Sequence, residues 1–392
     1  MASVKGASLT DLRLLNSSTV FEAIKRHAPV SRSELAREVG LTRPTVSSAL
    51  STLVRAGLIR ESSPASGRPH YGATYFEMVP EAAHFLAIEI EPGLIRAVLG
   101  DAAGARQAVV TSDHAPTSPA EIVAELAAVA TAACAAADLA LSDIAVLVLA
   151  VPAAVHPGNQ RLRSRVLPAL SGMALGPALE SRLQRPVVIE NDINLAAVGE
   201  CERGAARHAR DFVYLSIGRR VGAGIVLNRE IWRGSHGGAG ELLTLGPGPG
   251  SGDLERLVSQ LKHDEPVSFA NNPPAIFAAA GRGDPIARHA LSVQAGRIAT
   301  AVVSMCQVLD VELVVLGGAV GRLCQPLLGP IEERLRSQLP VVPELAISQL
   351  PAGAVQAGAC FVGSRHAMRL VTPRLLGQVI RPDAQTLLAV TE

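Results

Sequence analysis

Ser31-Arg32-Ser33-Glu34-Leu35-Ala36-Arg37-Glu38-Val39-Gly40-Leu41-Thr42-Arg43-Pro44-Thr45-Val46-Ser47-Ser48 is the stretch that decides the N-terminal fold. Ser31 and Glu34 stand at capping-box spacing, so a helix starts just after Ser31. Leu35, Ala36 and Val39 form its inner face, and Gly40 supplies the permissive backbone that ends it. Thr42 caps the next helix, with Arg43 and Pro44 in the first turn, where a missing N–H costs nothing. Val46, Leu50, Leu53 and Val54 are expected to face inward along that helix until Gly57 stops it. A preceding apolar stripe, Val20, Phe21 and Ile24, predicts one more helix. Two short helices joined by a tight glycine turn make a helix-turn-helix.

Working outward, Leu58-Ile59-Arg60-Glu61 reads as a strand, Ser62 to Gly67 as a turn-rich loop, and Ala73-Thr74-Tyr75-Phe76 as a returning strand, together a β-wing. The outward face of the second helix carries Arg43, Thr45, Ser47, Ser48, Ser51 and Arg55. Small hydroxyl side chains let a helix sink into a major groove, and arginines grip phosphates or guanine edges. Arg68, in Gly67-Arg68-Pro69 at the wing tip, suits a narrow minor groove. The candidate DNA contacts are therefore Ser33, Thr42, Arg43, Pro44, Thr45, Ser47, Ser48 and Arg68, and the expected partner is a double-stranded operator. A small helical domain serving protein contacts is the alternative.

The chain has 392 residues, 48% of them apolar and 18% charged, with 35 Gly and 26 Pro, which is a core-forming and turn-punctuated composition. Net charge is only +1, so a uniformly basic coat is excluded. Residues 1–76 nevertheless hold ten Lys/Arg against five Asp/Glu, a basic head on a mildly acidic body. No apolar run reaches the ~18–20 residues of a membrane span, and the N-terminus lacks the apolar core of a secretory signal. Cys134, Cys201, Cys306, Cys324 and Cys360 lie singly, as buried thiols of a reducing cytoplasm would. The expected location is cytoplasmic.

Beyond residue 80 the pattern changes to alternating strands and helices. Phe85–Ile90, a turn at Glu91-Pro92-Gly93, Leu94–Leu99 and Arg106–Val110 read as strands, followed by helix Pro119–Ala137 and buried strand Ile144–Val151. Residues 211–232 repeat that opening: Phe212–Ile217, a turn through Gly218 and Gly222, Ala223–Leu227 and Glu230–Trp232. A helix around Pro285–Val308 and strand Leu313–Leu316 follow. Two copies of a hairpin-led α/β unit predict two lobes with a ligand cleft between them.

These residues carry a resemblance. The head, Pro186-Val187-Val188-Ile189-Glu190-Asn191-Asp192-Ile193-Asn194-Leu195-Ala196-Ala197, the stretch from Tyr214 through Gly218, Gly222, Gly224 and Gly234 to Gly240-Glu241, and Leu316-Gly317-Gly318 are similar to the ROK family in its transcription-regulator branch. The resemblance implies an α/β fold class: an N-terminal winged helix-turn-helix (1–79), then a two-lobed actin-like ATPase (ribonuclease H-like) body, with lobes at 80–195 and 196–392, the latter including a C-terminal tail. It also implies a homo-oligomer, either a dimer or a dimer of dimers. Asn191, Asp192, Glu241 and Glu255 fall where family members hydrogen-bond sugar hydroxyls, and carboxylates and amides suit polyols because each shares several such bonds.

The departures from the family pattern bear on function. Where ROK kinases carry an Asp and a Gly-Gly-Thr phosphate loop, this chain has Glu89 and Glu91-Pro92-Gly93, and proline has no N–H to donate. The second phosphate loop reads Gly218-Arg219-Arg220-Val221-Gly222, with bulky side chains where close backbone approach is needed. Thr244 stands for the zinc-binding His, and Gly246, Gly248 and Asp253 stand for the cysteines, so neither zinc nor any other cofactor is expected. Thr244 also replaces a sugar contact, as Val166 does an Asn, while His236 reads as a loop residue. These features predict a ligand-modulated regulator of carbohydrate genes, most simply a repressor, without catalytic residues. A sugar kinase with an accessory head and a ligand-blind DNA-binding dimer are the alternatives.

Overall fold

The structure is a computed structural model and describes residues 9–63, 73–218, 220–242, 254–260, 272–350 and 353–376. The head is built from α1 (Leu9–His27), β1 (Val30–Ser31), α2 (Arg32–Glu38), α3 (Arg43–Arg55), β2 (Ile59–Ser62) and β3 (Tyr75–Met78). Both expected caps form. The Ser31 hydroxyl accepts from Glu34 N while the Glu34 carboxylate accepts from Ser31 N at 2.8 Å, and the Thr42 hydroxyl accepts from Thr45 N. Val20, Phe21, Ile24, Leu35, Val46, Leu50 and Leu53 are buried together. Val54 is not: it is 43% exposed, and Ala49, one position before Leu50, takes the inward place. β3 pairs antiparallel with both β2 and the two-residue β1, a strand too short to show a period in sequence.

The body opens with β4 (His84–Glu91), β5 (Leu94–Asp101) and β6 (Arg106–Ser112), an antiparallel meander. α4 (Pro119–Ala135), capped by Ser118, leads to β7 (Ile144–Val151). The small hairpin β8 (Ala154–Val155) and β9 (Leu162–Arg163), then α5 (Leu175–Leu183), precede β10 (Val187–Asn191). The first sheet runs β10-β7-β4-β5-β6. α6 (Asp192–Arg203) crosses to the second lobe: β11 (Phe212–Ile217), β12 (Val221–Leu227), β13 (Glu230–Ile231), α7 (Leu254–Gln260), α8 (Pro273–Gly281), α9 (Pro285–Leu309), β14 (Leu313–Gly317), α10 (Gly318–Gly321), α11 (Leu328–Arg336) and β15 (Glu344–Ile347). Its sheet runs β13-β12-β11-β14-β15, so both sheets share one topology, three meander strands followed by two parallel ones. The repeat read from the sequence is therefore a repeat of connectivity. α12 (Ala354–Leu375) ends the described chain.

Period-two alternation explains the layers. On β4, Leu86 and Ile88 face α4 and α5, whereas Phe85 and Ala87 join the core shared with α6 and α12. That shared core also receives Phe212, Tyr214, Val226 and Val315 from the second sheet. α6 and α12 are thus packed between the two sheets. A Cβ on Gly358 would lie 1.8 Å from the Leu195 carbonyl oxygen, and one on Gly199 2.3 Å from that of Ala354, so these glycines set how closely the two helices cross. The sequence reading gave residues 196–392 to the second lobe and a C-terminal tail; within that range α12 packs back against the first sheet, where Gln356 Nε2 donates to Glu89 Oε2 at 2.8 Å.

All five cysteines are buried and unpaired. Among the described residues no helix is long and apolar enough to cross a membrane.

Candidate functional site

In the head, the N-terminal ends of α2 and α3 and the start of the wing strand enclose an open groove of ≈ 530 Å³, lined by Ser31, Arg32, Ser33, Arg43, Pro44, Ser47, Ala73 and Thr74. The structure therefore brings together Ser33, Arg43, Pro44 and Ser47 of the expected DNA contacts. Thr42 and Thr45 stand beside the groove with their hydroxyls 2.8 Å apart, and Ser48 is exposed on the same helix. Arg68 lies outside the described residues. Ser31, Arg32 and Thr74 were missed as groove residues. The first two adjoin Ser33 at the start of α2, and that adjacency is the signal that could have found them. Arg60 Nε donates to Glu77 Oε1 at 2.7 Å across the wing, tying its two strands together below the tip.

The second candidate site is the start of α6, where the first sheet hands over to the second lobe. Asp192 opens α6 and is half-buried. Burial pushes its carboxyl up to about 7; the Ile193 N–H pulls the other way, while nearby Glu89 and Glu241 add repulsion. Glu89 is itself raised above the ordinary carboxylate range, by burial first, against the stabilising Gln356 hydrogen bond. Arg96 approaches Glu89 no closer than 3.8 Å. Glu241 is exposed, and its N–H donates to the Gly238 carbonyl. Glu89 and Glu241 are thus near enough to Asp192 to add to the effect of burial on its carboxyl.

Asn191 also has a structural task. Its Oδ1 accepts from both Ile193 N and Asn194 N as the N-cap of α6, and its Nδ2 donates to the Ala153 carbonyl. One N–H remains for a ligand. Asn directly before an apolar helix is a cap signal, and that reading was open in the sequence. Glu255 stands half-buried in the first turn of α7. Thr244, Gly246, Gly248 and Asp253 lie outside the described residues, and among the described residues no group of three His, Cys, Asp or Glu side chains is placed to hold a metal. Glu190 and Arg233 were not anticipated: Arg233 Nε donates to Glu190 Oε2 at 2.6 Å, a largely buried pair linking the lobes. His236 sits in an exposed turn with its ring edge-on to His156 of the first lobe, centroids 6.0 Å apart.

The two hairpins where a kinase of this fold grips phosphates are closed. Glu91 pairs with Leu94, so Pro92 and Gly93 form a two-residue turn in which only Gly93, at φ +78°, has an N–H. In the second hairpin Ile217 pairs with Val221, and the Gly218 N–H donates to the Arg220 carbonyl at 3.0 Å.

Comparison with known proteins agrees with this architecture. The ROK family model matches residues 86–243 and the MarR family model residues 11–69. The bifunctional enzyme NanE/NanK of Brucella melitensis is 36% identical over 187 residues, covering 46% of this chain and 36% of that protein. The xylose repressor of Bacillus spizizenii is 24% identical over 242 residues, covering 60% of this chain and 61% of the repressor. The chain thus spans less than two thirds of either relative. A solved ROK family transcriptional regulator, described as a homolog of the E. coli MLC protein, superposes with a TM-score of 0.74 at 21% identity, over 93% of this chain and 99% of that one. ROK hexokinase from Thermus thermophilus gives 0.55 at 26% identity, over 71% and 96%. The chain is thus similar to the MarR family over residues 11–69 and to the ROK family over residues 86–243.

Proposed function

We propose that the protein is a cytoplasmic, DNA-binding transcription regulator that represses carbohydrate-related genes and releases its operator when a sugar-class effector enters the interlobe cleft. The reading includes a homo-oligomer that presents two heads to a two-fold operator, one recognition helix per half-site. It also holds that the body has lost phosphoryl transfer.

The observation that carries this reading is the pairing of a groove-forming winged head with two closed phosphate hairpins. Phosphoryl transfer depends on backbone N–H groups that cradle the phosphates and on charge stabilisation at the transferred group. Pro92 and the internally bonded Gly218 N–H remove those donors, while Asp192, Glu241 and the free N–H of Asn191 retain the capacity to bond hydroxyls. The xylose repressors among the relatives, and the solved regulator with the same domain order, support the same reading.

The test is a sugar panel run with Mg·ATP on the full chain, beside selection of bound DNA from a random pool. Enrichment of one palindromic sequence without sugar phosphorylation is the expected result. Turnover that disappears in Asp192→Asn would establish a kinase instead.

A further inference from the structure

We propose that Glu89 and Gln356 form a proton-held clasp between β4 and α12: with a proton on Glu89 two hydrogen bonds join strand to helix, and loss of that proton leaves one. The inference concerns the fold of the body and stands whether or not the body binds a ligand.

The two side chains meet away from water: Gln356 is 1% exposed and Glu89 7%. Gln356 Nε2 donates to Glu89 Oε2 at 2.8 Å, yet Gln356 Oε1 is buried with no hydrogen-bond partner among the described residues. A buried amide oxygen without a donor has lost its bonds to water and gained nothing in return. An ionised Glu89 has only lone pairs to offer it. A protonated Glu89 has an O–H, and a carboxylic acid set against a primary amide closes a ring of two hydrogen bonds, N–H to carboxyl oxygen and O–H to amide oxygen. Glu89 itself can thus supply the donor that Gln356 lacks.

The surroundings favour the proton. From β5, Arg96 comes no closer to Glu89 than 3.8 Å, and β7 sets the uncharged Ala150 beside it. From β4 itself Glu91 adds repulsion, and from α6 Asp192 is a second carboxyl near enough for Glu89 to repel its charge. Burial is the largest influence and raises Glu89 above the ordinary carboxylate range. The folded chain therefore keeps this proton to higher pH than the unfolded chain, and gives it up to water as pH rises further. Ionisation then leaves Gln356 Oε1 without a donor and puts a charge between strand and helix. Gln356 lies two residues before Gly358, where α12 packs on the Leu195 carbonyl of α6, so the start of α12 is the part that loosens.

The experiment takes the full-length protein from pH 5 to pH 9 and reads two signals. One is the infrared band of protonated carboxyl groups; the other is hydrogen exchange in α12, divided by the intrinsic pH dependence of exchange. In wild type the band should fade as pH rises, and exchange at the start of α12 should accelerate at least tenfold in step with it. Glu89→Gln keeps both hydrogen bonds without a titrating proton, so it should remove part of the band and leave α12 exchange flat across the range. Gln356→Met should keep the Glu89 band but shift it, because the O–H loses its acceptor. Asp192→Asn should preserve both the Glu89 band and the exchange transition, which separates the two carboxyls. Should Gln356→Met not fold, wild type against Glu89→Gln still decides. The inference is overturned if Glu89→Gln shows the same exchange transition as wild type, or removes no protonated-carboxyl band. A Glu89 band that Gln356→Met leaves unmoved overturns it as well.

Discussion

Arg233 Nε meets Glu190 Oε2 at 2.6 Å and so ties the last strand of the first sheet to the segment that follows β13 of the second. The other oxygen of Glu190 accepts from Asn194 Nδ2 and from Asn191 N, so the carboxylate is fully bonded where little water reaches it. Removing one partner of such a pair strands the other charge. Arg233→Met should therefore cost about 3 kcal/mol of unfolding free energy, and adding Glu190→Gln should recover part of that loss. Urea titration of the single and double variants measures both values. A single variant within about 0.5 kcal/mol of wild type would show that the pair contributes nothing net.

The cleft should also give stability a pH slope of determinable sign. Asp192 keeps its proton up to about 7 in the folded chain, whereas an unfolded aspartate releases it near 3.8. Between those values the folded state binds more protons than the unfolded state, so this carboxyl makes stability fall as pH rises through that window. Above about 7 the penalty is constant. Asp192→Asn should remove this component and gain stability relative to wild type at pH 8 but not at pH 3.5. Chemical denaturation at several pH values compares the two slopes, and identical slopes would reject the assignment.

Sequence was most informative where a local rule acts alone. Ser31 and Thr42 cap as their spacing demands, and β7 and β11 run Ile144–Val151 and Phe212–Ile217 because apolar runs are cut off there by turn residues. The repeated strand order was legible for the same reason. Long-range pairing was not. Nothing near Gln356 or Gly358 in sequence indicates that α12 will return across the molecule to Glu89 and Leu195. Arg233, next to Trp232 and Gly234, reads as a loop residue until the fold places it on Glu190. Asn191 illustrates the opposite case: a residue read as a ligand contact also has a local capping task.

The crossing of α6 and α12 makes a sharper demand on packing. A Cβ at Gly358 would stand 1.8 Å from the Leu195 carbonyl, and backbone cannot yield as a flexible side chain does. Gly358→Ala should separate the helices and open the core that joins both sheets, at a cost above about 4 kcal/mol. Thermal unfolding should show a large fall in midpoint, or the variant should accumulate insoluble. The neighbouring Ala357→Gly is the control, with a loss of about 1 kcal/mol from helix propensity. Equal effects at the two positions would mean that the crossing distance is not critical.

In the head, Arg43 and Thr42 separate contact from scaffold. Arg43 lines the groove, whereas the Thr42 hydroxyl accepts from Thr45 N and holds the start of α3. Thr42→Ala should lower stability by about 1 kcal/mol. Arg43→Ala should leave stability unchanged and weaken operator binding by about 1–3 kcal/mol if it reads a base edge. If it bonds a phosphate, the loss should be uniform across sequences and the salt slope should fall by about one. Fluorescence anisotropy at several salt concentrations distinguishes the cases, and undiminished affinity would remove Arg43 from the interface.

The joint between head and body bears on how a ligand in the cleft could reach the DNA. Val79 N donates to the Leu58 carbonyl of the head at 3.0 Å, and the next residue, Pro80, gives its carbonyl to Ala102 N beside the end of β5 at 2.9 Å. Arg60 of the wing approaches Glu81 at 3.8 Å. The connection has no slack, so the head should turn with the first sheet. A ligand shifts operator affinity only by favouring one lobe arrangement over another, and in a dimer each arrangement sets a different distance between heads. DNA fixes half-sites at about 34 Å per turn, so small displacements are enough to lose one of them. Inserting Gly-Ser-Gly-Ser between Val79 and Pro80 should break this coupling. Operator affinity should fall, because the heads are no longer held at the half-site spacing, and what remains should be insensitive to effector. Full effector response in the insertion variant would show that the signal reaches the head by some route other than this joint.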